Sequence, residues 1–212
     1  RGSRPHKPVL VALAALTQAN APIRIALKIN VVGSSGSGKS TLAQHLARAL
    51  AQPYIELDAL FWQPNWTPAP DPTFLAGITS ALSAPGWVLD GNYDRTRSIK
   101  WANVEVVIWL DLPAWRILLQ VLTRTLRRSL KGEVLWAGNR ETLRKALFSR
   151  DSILLWAITS LGPIRRRYQA VMADPNWSHI HFVRIQTQQA LTALRADPHA
   201  FLTATSKAKA LP

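Results

Sequence analysis

The stretch that decides the fold is Gly33-Ser34-Ser35-Gly36-Ser37-Gly38-Lys39-Ser40-Thr41. It fits the pattern G-x-x-x-x-G-K-[ST], in which a glycine-rich loop surrounds a polyphosphate with backbone N–H groups. The apolar residues at 29–32 predict a short buried strand before it, and residues 41–50 carry leucines at helical spacing after it. A strand, a glycine-rich loop and a helix in this order predict a nucleotide-binding loop. The alternative is a chance match within a flexible Gly/Ser-rich linker.

The chemistry of the loop assigns roles to its residues. The glycines keep the loop open, and the helix that follows adds the positive end of its dipole. We expect Lys39 to reach the β- and γ-phosphates and the Ser40 hydroxyl to ligate Mg²⁺. The predicted ATP-binding residues are Gly33, Ser34, Ser35, Gly36, Ser37, Gly38, Lys39, Ser40 and Thr41.

Composition limits the class of protein. The chain has 212 residues, the size of one ordinary domain, and 48% of them are hydrophobic. It contains no cysteine, which excludes disulfides and thiolate metal sites. The net charge of +14 suits phosphate-rich partners. Half of this charge falls between residues 116 and 150, with nine Lys/Arg against two Asp/Glu.

The first 27 residues differ from the rest. An apolar run at 9–16 and an A-x-A sequence at 19–21 have the outline of a secretory signal peptide. The run is short, Pro22 would follow the cut, and a domain that uses ATP needs the cytosol. We therefore predict an N-terminal extension, poorly ordered or a short helix, on a cytoplasmic protein without a membrane partner.

Strand and helix patterns alternate along the remaining chain. Strands are predicted at 53–58, 87–90, 104–110 and 179–185. Helices are predicted at 71–83, 113–131 and 139–161, and Gly162-Pro163 ends the third of these. A basic helix follows to residue 172 and a last helix at 187–196, and the tail after Pro198 is predicted to be loose. This alternation predicts an α/β fold with a parallel sheet covered on both faces.

Polar residues follow the predicted strands. Gly33, Asp58, Asp90 and Asp111 all stand at strand ends, where α/β sheets bind ligands. Asp90 is either a Mg²⁺ ligand together with Ser40 or a turn cap. Asp58 is either an acceptor ligand or base, or a solvated loop acid.

Several segments resemble one group of proteins. Residues 28–41, 55–62, 87–93 and 109–113, with 138–141 and 151–156, are similar to small P-loop kinases of the adenylate-kinase-like group, in the bacterial branch labelled as DNA-topology-modulation proteins. The resemblance covers about residues 28–202. It implies a P-loop NTPase three-layer α/β/α sandwich with a mostly parallel five-stranded sheet and a helical lid. The kinase domain would span 28–203, the lid about 120–140 and the tail 204–212, with ATP and Mg²⁺ as cofactors.

The resemblance also implies roles for single residues. Asp90 would organise Mg²⁺, and Arg124 would contact the transferring phosphoryl group. Gln120 replaces a second arginine, for which Arg128 or its basic neighbours would compensate. Glu56 and Asp58 resemble the spaced acids of shikimate kinase, which serve Mg²⁺ and the acceptor hydroxyl. The predicted acceptor-binding residues are Asp58, Trp62, Asn92, Tyr93 and Arg95, the last one position later than the arginine of adenylate kinases.

Two functions of different class follow. The first is ATP-dependent phosphoryl transfer to a small acceptor, with the basic residues at 124–131 closing as a lid and Trp62 and Trp66 stacking on a ring. In the alternative interpretation, the basic residues form a solvated helix face and the two tryptophans belong to the core. The second function is a nucleic-acid binder switched by ATP. It is suggested by the charge and by the label of the similar bacterial proteins, but it lacks a recognition motif.

Overall fold

The computed structural model describes residues 26–131, 135–139 and 153–210, without the side chains of 128–131, 153–160 and 207–210. The strands are β1 Lys28–Gly33, β2 Tyr54–Glu56, β3 Trp62–Gln63, β4 Thr67–Pro68, β5 Trp87–Asp90, β6 Val106–Leu110 and β7 His181–Ile185. The helices are α1 Lys39–Ala49, α2 Leu57–Phe61, α3 Asp71–Ala81, α4 Arg97–Lys100, α5 Ala114–Lys131, α6 Ile153–Met172, α7 Gln188–Ala196 and α8 Pro198–Ala210.

The main sheet has five strands in the order β2-β5-β1-β6-β7, and every pairing in it is parallel. The short strands β3 and β4 form a separate antiparallel hairpin. Helices connect the parallel strands, as such crossovers require. The predicted α/β architecture with a five-stranded parallel sheet flanked by helices is confirmed.

Successive side chains of each strand point to opposite faces of the sheet, and helices cover both faces. Ile29, Val31 and Ile108 pack on one side with α1, α5, α7 and α8. Val32 and Trp109 pack on the other side with α3 and α6. These two apolar layers account for the near-continuous hydrophobic strands in the sequence.

The central strand β1 delivers the glycine-rich loop to the middle of the sheet edge. Gly33 ends β1 opposite Leu110 of β6, and Lys39 begins α1 directly after the loop. On the other side, Glu56 at the end of β2 is the register partner of Asp90 at the end of β5. The strand order therefore gathers the loop and two carboxylates at one edge.

Some predicted boundaries were wrong. The strand predicted at 53–58 ends at Glu56, and Asp58 lies on the short helix α2 rather than at a strand end. Residues 62–68, for which no strand was predicted, contain the β3–β4 hairpin, with a tight turn at Pro64–Trp66. A two-residue strand is too short to leave a periodic pattern in the sequence.

The C-terminal half also differs from the prediction. Helix α6 continues through Gly162-Pro163 rather than ending there, because Ile164, Tyr168 and Val171 bury one side of it against the sheet. The tail after Pro198, which was predicted to be loose, forms α8 to Ala210 and buries Leu202 in the core.

Other expectations fall partly outside the described residues. Most of the N-terminal extension lies outside them, but Leu27, assigned to that extension, is 2% exposed and belongs to the core. Residues 132–134 of the predicted lid lie outside them, as do residues 140–152 of the helix predicted at 139–161. None of the helices in the described part of the chain combines the length and the hydropathy of a membrane-spanning segment.

A buried polar network ties β1 to its neighbours. Asn30 has no exposed surface, and its side-chain N–H₂ group donates to the carbonyls of Leu89 (3.0 Å) and Gly91 (3.3 Å). Its Oδ1 atom accepts a hydrogen bond of 2.8 Å from the indole N–H of Trp101. Buried polar groups are costly when left without partners, so this network fixes how β1 and β5 end together.

We predict that Asn30→Leu lowers the free energy of unfolding by about 2–4 kcal/mol, because it leaves the Trp101 N–H buried without an acceptor. The measurement is urea denaturation, with Ile29→Val as a neighbouring core control that costs about 1 kcal/mol. In a cycle with Trp101→Phe, the double variant should lose less than the sum of the two single losses. Additive losses would contradict a network.

Candidate active site

The glycine-rich loop has the geometry of a phosphate cradle. Helix α1 starts at Lys39 directly after Gly38, so the loop ends on the N-terminal turn of a helix, where anions are stabilised. The hydroxyls of Ser34 and Ser37 are buried and have no hydrogen-bond partner within the described part of the chain. The loop thus carries unsatisfied donors as well as the helix dipole.

Gly36 lies directly against α5. A Cβ atom at this position would stand 2.3 Å from Val121 Cγ2 and 3.1 Å from the Ile117 carbonyl oxygen. Its φ of +77° is also one that residues with side chains rarely adopt. Glycine is therefore required here both by conformation and by the close approach of α5 to the loop.

Asp90 lies beside Lys39 and Ser40. It is 3% exposed, and its Oδ2 atom accepts a hydrogen bond of 3.1 Å from the Tyr54 hydroxyl. Burial raises the pKa of Asp90 above its usual value, while the Lys39 charge and the nearby Ser40 hydroxyl act in the opposite direction. The Asp90 Oδ1 atom accepts no hydrogen bond in the described part of the chain.

These groups fit a magnesium ion. A buried carboxylate oxygen without a partner, next to a hydroxyl, is the kind of hard oxygen ligand that Mg²⁺ takes, usually together with water and substrate phosphates. Within residues 26–131, 135–139 and 153–210, no three His, Asp or Glu side chains form a metal-binding group. Ser40 and Asp90 could therefore supply two oxygen ligands, and the remaining ligands of such an ion would come from water or from a bound phosphate.

Asn92 acts on the phosphate loop. Its Oδ1 atom accepts from the Gly33 N–H (3.0 Å), and its Nδ2 group donates to the Gly33 carbonyl (2.8 Å). The Tyr168 hydroxyl also reaches Asn92 Oδ1 at 3.4 Å, and the Lys100 ammonium donates to the Asn92 carbonyl. The Asn92 amide thus binds the loop backbone, and its role in acceptor binding stays a prediction.

Asp58 and Tyr93 lie together at the other side of Asp90. The Tyr93 hydroxyl donates to Asp58 Oδ1 at 2.5 Å, and burial followed by the Asp58 charge raises the pKa of Tyr93. The Tyr93 ring packs against Phe61 with centroids 4.9 Å apart. Both residues predicted for the acceptor thus meet each other, with Asp58 held by an uncharged phenol.

Glu56 faces an unexpected partner. Burial raises the pKa of Glu56, the Trp136 indole N–H lowers it by hydrogen bonding, and the charges of Asp90 and Asp58 raise it further. Trp136 belongs to the segment 135–139, which is followed by residues that the structure does not describe. This segment therefore contributes to the site from a part of the chain far from β2.

Trp62 and Trp66 are half-buried on the β3–β4 hairpin, with ring centroids 5.5 Å apart. Asn139, 6% exposed, fastens this hairpin to the segment 135–139. Its Oδ1 atom accepts from the Trp66 N–H (3.0 Å), and its Nδ2 group donates to the Gln63 carbonyl (2.9 Å). The Trp66 and Trp136 rings are 6.3 Å apart.

The predicted arginines occupy three different settings. Arg95 is half-exposed, pairs with Asp71 at 2.9 Å and lies over the rings of Phe61 and Phe74. Arg124 extends from α5 and donates to Ser35 Oγ of the phosphate loop at 3.1 Å. Arg128 lies on α5, but its side chain is outside the described part of the structure.

Other charges expected near the site have structural partners. Asp111 receives hydrogen bonds from Arg165 (2.6 Å) and Arg184 (2.6 Å), so it is an internal ion-pair centre rather than a fourth site acid. Arg167 and Arg97 both pair with Asp94. Arg165 and Arg167 are thus partly exposed and are engaged by acidic partners.

Sequence reasoning missed Tyr54, Trp136, Asn139 and the loop contact of Asn92. Trp136 and Asn139 carry no local signal that links them to a hairpin some seventy residues earlier, since Asn139 and Trp66 are 73 positions apart. Residues 138–141 belong to the segments that carry the resemblance, but their sequence does not indicate which residues they contact. Tyr54 could have been found from its place on the strand that leads to Glu56.

No protein-family model matches the sequence. Among curated proteins, the chain is similar to a shikimate kinase of Paracidovorax citrulli (strain AAC00-1), with 29% identity over 119 residues. This match covers 56% of the chain and 51% of that protein, so the chain spans about half the length of that relative.

Among solved structures, the chain is similar to a gluconokinase from Sinorhizobium meliloti 1021, with 19% identity, a TM-score of 0.49, and coverage of 87% of this chain and 95% of the other. It is also similar to a shikimate kinase from Acinetobacter baumannii in complex with shikimate, with 16% identity, a TM-score of 0.47, and coverage of 94% and 99%. Scores this low carry no argument about function. The similarities are to small-molecule kinases, and none supports the DNA-topology-modulation label.

We predict that Gly36→Ala lowers the free energy of unfolding by about 2–4 kcal/mol, from its positive φ and the overlap with Val121. Gly38→Ala is the matched control: its φ is +88°, but a Cβ atom there meets nothing within 4 Å. Chemical denaturation of both variants separates strain from overlap. A loss at Gly36 no larger than the loss at Gly38 would show that α5 does not press on the loop.

We predict a pH dependence of stability from Lys100, which is 1% exposed. Burial lowers its pKa to about 7, with Asp94 opposing and Arg97 adding to this effect. Between pH 7 and 9 the unfolded chain keeps this proton while the folded chain loses it, so stability should rise with pH by up to about 2 kcal/mol.

Urea denaturation of the protein and of Lys100→Met at pH 7, 8 and 9 checks this effect. The variant should lack this part of the rise. An equal slope in both proteins would assign the pH dependence to other groups.

Proposed function

We propose that the chain is a P-loop kinase that transfers the γ-phosphoryl group of Mg·ATP to a hydroxyl of a small acceptor. The observation that carries this proposal is the meeting of Lys39, Ser40 and Asp90 at the loop, with the buried Asp90 Oδ1 atom lacking a partner in the described part of the chain. A structural aspartate would be expected to have all its buried oxygens satisfied. The similarity to small-molecule kinases supports the same reaction class.

The loop residues 33–41 bind the triphosphate with backbone N–H groups, and Lys39 reaches the β- and γ-phosphates. Ser40 and Asp90 are the residues that would hold Mg²⁺, which neutralises phosphate charge when it is bound. Asn92 fixes the Gly33 backbone from behind, so that the loop is in its binding shape before the nucleotide arrives. Such preorganisation lowers the cost of binding.

Asp58 orients the acceptor hydroxyl and takes its proton. The acceptor oxygen forms a new bond to the γ-phosphorus while the bond from that phosphorus to the bridging oxygen of ADP breaks, and the proton passes to the Asp58 carboxylate. Tyr93 holds Asp58 in place through its hydroxyl. Glu56, beside Asp90 in the sheet, adds a second carboxylate to the acceptor side.

Arg124 stabilises the charge that develops on the moving phosphoryl group. It already contacts the loop at Ser35, and it lies about one helical turn after Val121, which contacts Gly36 from the same face of α5. Arginines in this role contribute factors of roughly 10³ or more to kinase-type reactions. Arg128 follows one turn later on α5 and is a second candidate for the same role.

The nucleic-acid alternative is supported by net charge alone. Several basic side chains that could form a DNA-binding surface are paired internally, among them Arg165 and Arg184 on Asp111. Binding to a phosphate backbone would weaken steeply with salt. Absence of DNA binding at moderate salt would dismiss this alternative.

We predict that Lys39→Ala weakens binding of Mg²⁺ with a non-hydrolysable ATP analogue at least about tenfold, because a charge-assisted hydrogen bond is worth about 1.5–3 kcal/mol. Phosphoryl transfer should be abolished, while the melting temperature changes little. Titration calorimetry measures the affinity. Undiminished turnover would refute the assignment of Lys39.

Two further variants sharpen this test. Asp90→Asn should weaken binding of the ATP analogue only when Mg²⁺ is present. This result would distinguish a ligand of the ion from an acid with a structural role. Arg48→Ala, on the exposed end of the same helix α1, is the matched control and should bind normally. Equal weakening of Asp90→Asn with and without Mg²⁺ would contradict the metal role.

A further inference from the structure

The aromatic side chains near the two acceptor-side acids form a closed circuit. The aromatic neighbours are joined by ring contacts, and the Tyr93 hydroxyl donates to Asp58. Glu56 closes the circuit from β2, because its carboxylate is influenced by the Trp136 indole on one side and by the Asp58 charge on the other. Each of its members is half-buried, and Phe61 and Tyr93 also pack against the core, so the circuit extends from the core to the surface. In order, the members are Asp58, Tyr93, Phe61, Trp62, Trp66, Trp136 and Glu56.

The backbone that presents these rings is held under strain. Asn65, Trp66 and Ala137 have positive φ values of 60°, 57° and 53°, which non-glycine residues rarely adopt. The buried Asn139 amide fixes this arrangement by bonding to Trp66 and Gln63. Strained residues held by their surroundings are concentrated at ligand sites, which supports a binding role for this wall.

The electrostatics of the circuit disfavour an anionic ligand. Glu56 already feels the charges of Asp90 and Asp58, and the cation that counters it, Lys39, belongs to the phosphate loop. Arg95 is engaged by Asp71 and two aromatic rings. A phosphate or carboxylate bound between Glu56 and Asp58 would add like charge to this cluster.

We propose that the acceptor is an uncharged cyclic polyhydroxy compound whose ring packs on the tryptophan wall and whose hydroxyls donate to Glu56 and Asp58. Carboxylates are acceptors and so suit hydroxyl donors, and indole faces suit the C–H side of such a ring. This inference rests on the proposed function, because it concerns the acceptor side of the same site. It excludes nucleoside monophosphates and acidic sugars as preferred acceptors.

The test uses pairs of ligands that differ by one anionic group. Glucose is compared with glucuronate, and myo-inositol with its monophosphate, with sorbitol as the open-chain control. Each is titrated into the full chain with Mg²⁺ and a non-hydrolysable ATP analogue at saturation, and the affinity is read by calorimetry and tryptophan fluorescence. We expect at least one neutral ring to bind tenfold or more tightly than its anionic counterpart and than sorbitol.

Variants connect this preference to the circuit. Trp136→Ala should weaken binding of the neutral ring at least tenfold. Trp115→Ala, which removes a side chain on α5 that is 67% exposed, should leave that affinity unchanged. Glu56→Gln should bring the affinities for the neutral and the anionic ring closer together. Loss of folding would abolish binding of both rings and would not produce this change. Equal or tighter binding of the anionic ring, or no binding of either neutral ring, overturns the inference.

The outcomes also separate the two levels of proposal. If the analogue binds but no neutral ring does, the acceptor class is wrong and the kinase proposal stands. If a neutral ring binds but ATP is not consumed in its presence, the acceptor site is right and the proposed reaction is wrong.

Discussion

The two hydrogen bonds between the Asn92 amide and the Gly33 backbone are the constraint on which the site depends. They join the end of β5 to the end of β1 at the first residue of the phosphate loop. Behind them, the Lys100 ammonium and the Tyr168 hydroxyl hold Asn92 in turn. The same turn places Asp90 before Asn92 and Tyr93 after it. The two Asn92 hydrogen bonds therefore position both the proposed Mg²⁺ ligand Asp90 and the Tyr93 side chain that contacts Asp58.

The loop, the sheet and the position of Asp90 could be predicted because each depends on local signals. A glycine pattern between a strand and a helix determines where phosphates bind, and apolar strands that alternate with helices determine a parallel sheet. Asp58 was placed near the site for the wrong reason, since it lies on α2 rather than at the end of a strand. Its contact with Tyr93 follows from tertiary packing that no periodicity contains.

The acceptor side could not be predicted for a physical reason. Trp136 and Asn139 meet the β3–β4 hairpin only because the folded chain brings the segment 135–139 back over it. Likewise, the charge count suggested free basic surfaces, whereas Arg165, Arg167 and Arg184 neutralise buried or half-buried aspartates. Composition gives the number of charges but not their partners, and it is the partners that decide between a binding surface and an internal ion pair.

The order of the strands has a consequence for how the chain reaches this state. Both neighbours of β1 in the sheet, β5 and β6, come much later in the sequence, with Gly33 and Asn92 59 positions apart. Contacts between distant positions require long loops to close first, which slows folding relative to helical bundles. During synthesis, β1 therefore leaves the ribosome as an apolar segment whose pairing edges stay open until both later strands have been made.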